Sequence, residues 1–284
     1  MGYLKDRQDD LCKILAVVVT FKPEKEFLVR NVNSLINVVD KILIWENSPE
    51  INVRSWFNGL EIEFKTTGKN IGISGALNEA WMYARQHGYT HLLTMDQDSF
   101  LKNCKTYVET CLNSIKEPSV FGPKITRSDE TQPLNIIEKL SNNDYLITSG
   151  ILVPLEIINA IGGYNADFKV DAVDLDFCIR TKLAGYEVYR NENGVLLQHF
   201  GTPYTKILFG KTFVCPNYSP FRLKGIFRNH IIIYRRYKNK WIKRIIIVYF
   251  RHFIPRILLW EDNKWKKVNA IFNGIIEGLK YKIL

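Results

Sequence analysis

Residues 91–100 read HLLTMDQDSF. The apolar run Leu92-Leu93-Thr94-Met95 has the look of a buried strand, yet it stops at two carboxylates, Asp96 and Asp98, one residue apart. In an open parallel sheet, ligands bind beyond the carboxyl ends of the strands, which is where this pair would lie. Two acids so close cannot both stay ionised cheaply in a partly buried cleft. A divalent cation removes the conflict. Hard oxygen ligands suit Mg²⁺ or Mn²⁺, which typically take one or two carboxylates together with phosphates and water. The alternative is a solvated turn, or a cap in which Asp98 or Ser99 starts the next helix.

Working outward, the first half of the chain alternates. Strands are expected over Ile14–Phe21, Lys41–Trp45, Glu61–Thr66, Thr90–Met95 and Val120–Ile125. Amphipathic helices are expected over Glu24–Val39, Gly72–Gln86 and Asn103–Lys116. Such alternation means crossover units and a mostly parallel sheet flanked by helices, an α/β fold. The stretch Arg127–Asn143 is polar and turn-rich and reads as a mobile surface loop. A strand is expected at Tyr145–Val153, and helices at Pro154–Ile161 and Val173–Leu183. Short strands follow at Tyr186–Arg190 and Val195–Gln198. Beyond Ser219 the pattern is helical, over roughly 220–238, 241–260 with a kink at Pro255, and 264–281.

Three further stretches carry chemistry. NIGISGALN (70–78) sets Gly72 and Gly75 at a strand-to-helix junction, where free amides could meet an anion or Asn70 or Ser74 could cap the helix. It is neither a Walker loop nor GxGxxG. DAVDLDFCIR (171–180) places Asp171, Asp174 and Asp176 at a helix start. The helix dipole alone would favour acids there, but a carboxylate held among apolar neighbours also suits a general base. QHFG (198–201) ends a short strand in His199. His87 and His91 are read as structural.

The chain has 284 residues, 46% hydrophobic and 24% charged, with a net charge of +10. From Arg222 onward there are 16 basic and 3 acidic residues, against 23 basic and 26 acidic in the first 221. The basic excess therefore lies in the last fifth, and a positive face attracts phosphates. Five unpatterned cysteines fit a reducing compartment rather than a disulfide framework or a zinc site. From the N-terminal residues neither a signal peptide nor myristoylation is expected. No run reaches the ~18 uncharged apolar residues that span a bilayer. Aromatic and basic residues mix in the C-terminal helices, which predicts a peripheral protein lying on an anionic membrane surface. A solvated helical cap is the alternative. A metal-dependent nuclease or phosphotransferase is the main rival class, but acids and bases are segregated along the chain and no nucleic-acid motif is present, so no nucleic-acid partner is expected. A non-catalytic sugar-binding or scaffold protein is a third class.

The ordered set VVVTF (17–21), WENS (45–48), NIGISGALN, MDQD (95–98), TSG (148–150), GGYNADFKVDAVDLDFCIR (162–180), QHFG and SPFRLKGIFRNHIIIYRRY (219–237) resembles the inverting, nucleotide-sugar-dependent glycosyltransferases of family two. Within them it resembles the bacterial O-antigen and capsule rhamnosyltransferases. The resemblance implies a GT-A fold, Rossmann-like, in residues 1–218, with a nucleotide-sugar half at about 1–125 and an acceptor half at about 126–218. A basic helical extension would occupy 219–284. It implies that Thr20, Phe21, Glu46, Asn70, Gly72, Asn78, Asp96, Gln97 and Arg228 bind the nucleotide sugar. Glu46 stands where the family usually has Asp. Asp96, Asp98 and His199 would serve the Mg²⁺ or Mn²⁺, Asp174 would be the general base, and Asp176, Asp171 and Gly150 would support it or meet the acceptor. The implied donor is TDP-rhamnose, with UDP-galactose, UDP-galactofuranose or UDP-glucose as alternates. The implied acceptor is a growing glycan, polyprenyl-diphosphate-linked or other, at the cytoplasmic face of the plasma membrane. Oligomeric state is not legible.

Overall fold

β1 (Ile14–Thr20) sets the architecture because neither of its faces meets water. Ile14 through Val18 are at most 4% exposed, so the strand must be covered on both sides. The even-numbered side packs on α1 (Lys25–Leu35), whose Leu28, Val32 and Leu35 form the apolar stripe at helical spacing. A second helix, α2 (Gly72–Gln86), packs on β1 and on β4 (His91–Asp96). The computed structural model describes residues 12–114, 118–127, 140–142, 145–198, 203–238 and 240–283.

Around β1 the chain builds one sheet. β2 (Lys41–Glu46) and β3 (Ile62–Lys65) extend it in parallel on one side, and β4 joins in parallel on the other. Beyond β4 come β8 (Ile151–Pro154), β6 (Ser119–Arg127), β9 (Glu187–Gln198) and β5 (Ser99–Lys102), while β7 (Leu140–Asn142) pairs with β9. The order is β3-β2-β1-β4-β8-β6-β9-β5, a nine-stranded sheet among the described residues. β8 is antiparallel to both β4 and β6, and β5 is antiparallel to β9. The helices α3 (Cys104–Ser114), α4 (Leu155–Ile161) and α5 (Val173–Leu183) complete this part. The alternating α/β expectation holds.

Several local expectations change. Asp98 and Ser99 do not cap a helix. Ser99 opens β5, in which Ser99 and Leu101 are buried while Phe100 and Lys102 are half-exposed, and the helix begins only at Cys104. Period two wins there because β9 offers a partner edge, pairing Ser99 with Gln198. The two short strands expected near 186–198 are one strand. Its register against β6 jumps from Asn191 opposite Pro123 to Val195 opposite Lys124, so the intervening residues bulge. The expected strand at Tyr145–Val153 is shortened, because Thr148–Gly150 form a turn. Of the expected loop 127–143, residues 140–142 are a strand, and 128–139 and 143 lie outside the described residues.

The chain divides into two compact units, 1–169 with 173–199, and 170–172 with 200–284. The sequence suggested a boundary near 218. The second unit contains α6 (Pro220–Tyr237), α7 (Lys240–Trp260) and α8 (Lys264–Lys280). It also holds a hairpin that periodicity did not suggest, β10 (Tyr204–Leu208) with β11 (Lys211–Cys215). Ser219 caps α6, accepting from the Arg222 amide, and Pro220 follows at the first position. α8 lies against α6 at backbone distance. A Cβ on Gly274 would come within 2.3 Å of the Lys224 carbonyl oxygen. Leu223, Ile226, Phe227, Phe253, Ile257 and Ile271 form the core. Beside it the buried pair Lys267–Glu261 closes at 2.8 Å, with Lys267 also donating to Asn217. α7 continues through Pro255. Among the described residues no helix is long and apolar enough to cross a membrane.

The five cysteines are free thiols, and burial pushes Cys104, Cys111 and Cys178 up to about 12. Burial also lowers His91, at the start of β4, from 6.5 to about 4. The unfolded chain therefore binds a proton below pH 6.5 that the folded chain refuses. Stability from this group is complete above pH 6.5 and falls by about 3 kcal/mol as pH drops toward 4. Urea titrations across that range will show a shallower acid limb in His91→Gln than in the wild type.

Candidate active site

Asp96 and Asp98 lie at the turn where β4 hands over to β5. Both are half-buried. Their backbone is held from four directions. The Gln97 side chain forms a two-way bridge to Phe21, accepting from its amide at 2.6 Å and donating to its carbonyl at 3.0 Å. Asn31, buried on α1, donates to the Asp96 carbonyl. The Asp96 amide donates to Ser149 Oγ at 3.0 Å. Gln198 on β9 lies 3.4 Å from the Asp96 carboxylate and accepts from Ser99. The turn is thus tied to β1, α1, β9 and the 148–150 turn, all in the first unit.

Behind it, Asn47 stitches three segments. Its amide donates to the Thr20 carbonyl at 3.0 Å, its Oδ1 accepts from the Ile71 amide at 3.2 Å, and its Nδ2 lies 3.4 Å from the Gly72 carbonyl. Thr20 is buried, donating to the Trp45 carbonyl, while the Phe21 ring is 48% exposed at the strand end. Glu46 is buried and pairs with Arg54 at 3.3 Å.

The expectation that α2 offers free amides to an anion is corrected at its first residues. Gly72 N–H donates to Asn70 Oδ1 and Ile73 N–H donates to the Lys169 carbonyl. Together with Ile71 on Asn47, three successive amides are consumed by protein acceptors. Gly72 sits at φ +77°, and a Cβ there would lie 2.8 Å from the Lys169 carbonyl oxygen. Asn78 is likewise committed. It donates to the Tyr164 carbonyl at 2.8 Å and accepts from the Tyr164 amide at 2.7 Å.

Asp174 stands in the first turn of α5. Tyr145 donates its hydroxyl to one carboxylate oxygen at 2.8 Å, and the Leu175 amide donates to the other at 2.9 Å. The same short segment serves both acidic sites, with Ser149 on the Asp96 backbone and Tyr145 on the Asp174 carboxylate. Four residues of chain limit the separation of the Tyr145 and Ser149 Cα atoms to ~14 Å. Gly150, at φ +83°, closes the segment under the Tyr107 hydroxyl and against Pro123. Asp176 is fully buried and pairs with Arg180 at 2.7 Å. Arg180 in turn holds the Ile161 and Gly163 carbonyls, so this pair fixes α5 against the preceding loop.

Asp171 and Arg228 belong to the second unit. Asp171, at φ +56°, pairs with Arg222 at 3.1 Å, and Asn229 donates to the carbonyls of Val170 and Asp171. Arg228 reaches Asn229 and lies over the Tyr281 ring. His199 lies outside the described residues.

Sequence reasoning did not single out Asn31, Asn47, Tyr145 or Ser149. Asn31 left a signal, being polar at a position on the buried stripe of α1 between Leu28 and Leu35. Asp96 and Asp98 are oxygen donors, and no group of three His, Cys, Asp or Glu gathers for a metal among the described residues. A two-carboxylate set leaves positions for phosphate and water, which fits Mg²⁺ or Mn²⁺ better than a softer ion. A groove of about 890 Å³ lies elsewhere in this unit, along α1, β5 and α3, with Arg30 stacked 4.3 Å from the Phe100 ring; none of the acids above lines it.

No family model matches the chain. It is 23% identical over 244 residues to the dTDP-rhamnosyl transferase RfbF of Shigella flexneri, covering 78% of this chain and 80% of that protein. Among solved structures it is similar to GalNAc-T7 crystallised with UDP, GalNAc and Mn²⁺, at a TM-score of 0.62 and 10% identity. That match covers 96% of this chain, which spans 56% of the GalNAc-T7 chain. It is also similar to residues 1–349 of S. aureus TarS in complex with UDP-GlcNAc, at 0.59 and 13% identity, over 93% of this chain and 81% of that one. The fold is the GT-A fold, Rossmann-like, with a helical C-terminal region, as the resemblance implied.

Replacing Gly72 by Ala combines a left-handed backbone with a backbone clash and will cost about 2–4 kcal/mol, read by chemical denaturation. Gly88, at φ +70° with open space around it, will lose only about 1 kcal/mol in the matched Ala variant.

Proposed function

We propose that this chain is an inverting glycosyltransferase that moves a sugar from a nucleoside diphosphate to a hydroxyl of a growing cell-surface glycan. The observation that carries the reading is the pair of acidic sites served by one segment, Asp96 through Ser149 and Asp174 through Tyr145. Similarity to a dTDP-rhamnosyl transferase supports L-rhamnose from TDP-rhamnose as the first donor. The UDP and UDP-GlcNAc complexes of the structural relatives keep UDP-galactose, UDP-galactofuranose and UDP-glucose as alternates.

In this reading Asp174 takes the proton from the acceptor hydroxyl as its oxygen attacks the anomeric carbon. The bond from that carbon to the diphosphate oxygen breaks, and the nucleoside diphosphate leaves with the electron pair. One displacement inverts the anomeric centre. Tyr145 and the Leu175 amide orient the carboxylate so that it meets the hydroxyl at hydrogen-bond range. Asp96 and Asp98 would hold Mg²⁺ or Mn²⁺, whose charge would offset the negative charge on a departing diphosphate. Phe21 offers an exposed ring beside this turn, suited to stacking on a nucleotide base. Gln97 serves by clamping the turn to Phe21. Asp176 acts by fixing α5 through Arg180.

The second unit is proposed to lie on the anionic inner face of the plasma membrane, where a polyprenyl-diphosphate-linked glycan would be met. Its basic excess and its exposed Trp241, Ile247, Val248 and Trp265 support that place, and the free thiols support a cytoplasmic location.

Nucleoside diphosphate release from a panel of nucleotide sugars, with Mn²⁺ and a hydroxyl acceptor, tests the reading; silence across the whole panel contradicts it. Asp174→Asn will lower transfer by about 10³-fold or more while calorimetric donor binding stays unchanged. Asp98→Ala will do the reverse first, removing the Mn²⁺-dependent part of donor binding in the same calorimeter.

A further inference from the structure

The β10–β11 hairpin is built unlike the rest of the chain. Leu208 pairs with Lys211, so the loop is the two residues Phe209 and Gly210, at φ +50° and +72°. Two positive φ values define the primed turn that matches strand twist, and its first position favours Asn, Asp or Gly. A bulky aromatic there is strained. Phe209 is nonetheless 93% exposed and Ile207 75% exposed, so little contact with the described residues compensates. Residues 205–212 are exposed on both faces of the ribbon. A two-stranded ribbon is marginal alone, and among the described residues this one is secured at its base. There Tyr204 donates to the Trp260 carbonyl, Arg256 donates to the Val214 carbonyl, and Phe213 packs on Trp260. The tip therefore projects three apolar side chains, Ile207, Leu208 and Phe209, between two cations, Lys206 and Lys211, with no acid in the hairpin.

We propose that this hairpin is a membrane wedge, which inserts Phe209 and its apolar neighbours among anionic phospholipids while Lys206 and Lys211 meet the headgroup phosphates. The inference rests on the peripheral-membrane reading above and names the element that penetrates. Charge selects the occupant. The hairpin is purely cationic and stands in the unit that carries the whole basic excess, so an anionic surface complements it and a second copy of the same cationic ribbon repels it. The strained Phe209 is then explained, since its cost is met by burial in lipid rather than in protein.

The test is co-sedimentation of the full chain with vesicles of phosphatidylglycerol and phosphatidylethanolamine, against vesicles of phosphatidylcholine alone. Phe209→Asn places the residue the turn prefers, so the variant will melt no lower than the wild type. It will bind anionic vesicles about tenfold or more weakly, and Phe209→Trp will bind as the wild type does. Lys206→Glu with Lys211→Glu will weaken binding to the anionic vesicles, and unchanged binding in that variant counts against the hairpin. If the wild type binds and Phe209→Asn binds equally, the hairpin inference fails while the peripheral reading stands. If the wild type binds neither vesicle, both fail. If light scattering instead shows a dimer that Phe209→Asn dissolves, the tip serves a second copy and the wedge is wrong.

Discussion

The structure depends on holding two like charges at the end of a buried strand. Left to themselves, Asp96 and Asp98 would drive their turn toward solvent, away from the sheet. What prevents this is a set of neutral hydrogen bonds to the turn's backbone and to Gln97, from Phe21, Asn31 and Ser149. Each donor or acceptor sits on a different element, so the turn is over-determined by the fold. The turn is thus held largely through its backbone and Gln97, with Gln198 reaching the Asp96 carboxylate from β9.

A second constraint follows from the first. The 145–150 segment must both accept the Asp96 amide and deliver Tyr145 to Asp174, and it does so by abandoning strand geometry at Thr148–Gly150. Gly150 allows that departure at φ +83°, where its carbonyl meets Tyr107. The fold itself tolerates great divergence in sequence. Structures at 10% and 13% identity retain the fold, because burial patterns specify the sheet while many residues satisfy each pattern.

The parallel half of the sheet was readable because β1, β2 and β4 are short apolar runs separated by helices of clear period. The acid pair was readable because charge ended such a run. β5 was hidden, since four residues after two acids give too short a window for period two, and its partner β9 lies a hundred positions away. The division of β9 into two expected strands arose from polar residues Asn191–Asn193, whose bulge no local pattern announces. Tyr145 aims its hydroxyl at a distant carboxylate and Asn31 its amide at a distant backbone carbonyl, relations that only tertiary structure supplies. The occupied amides at the start of α2 illustrate the same limit, because Lys169 supplies an acceptor from nearly a hundred residues onward. The hairpin was missed because its tip breaks the usual turn composition.

Crystals soaked with Mn²⁺ and thymidine diphosphate give the most direct test of the central claim. An anomalous peak within coordination distance of Asp96 or Asp98 and of the diphosphate oxygens is the predicted result. A peak elsewhere, or a diphosphate bound with both carboxylates turned away from it, would contradict the account.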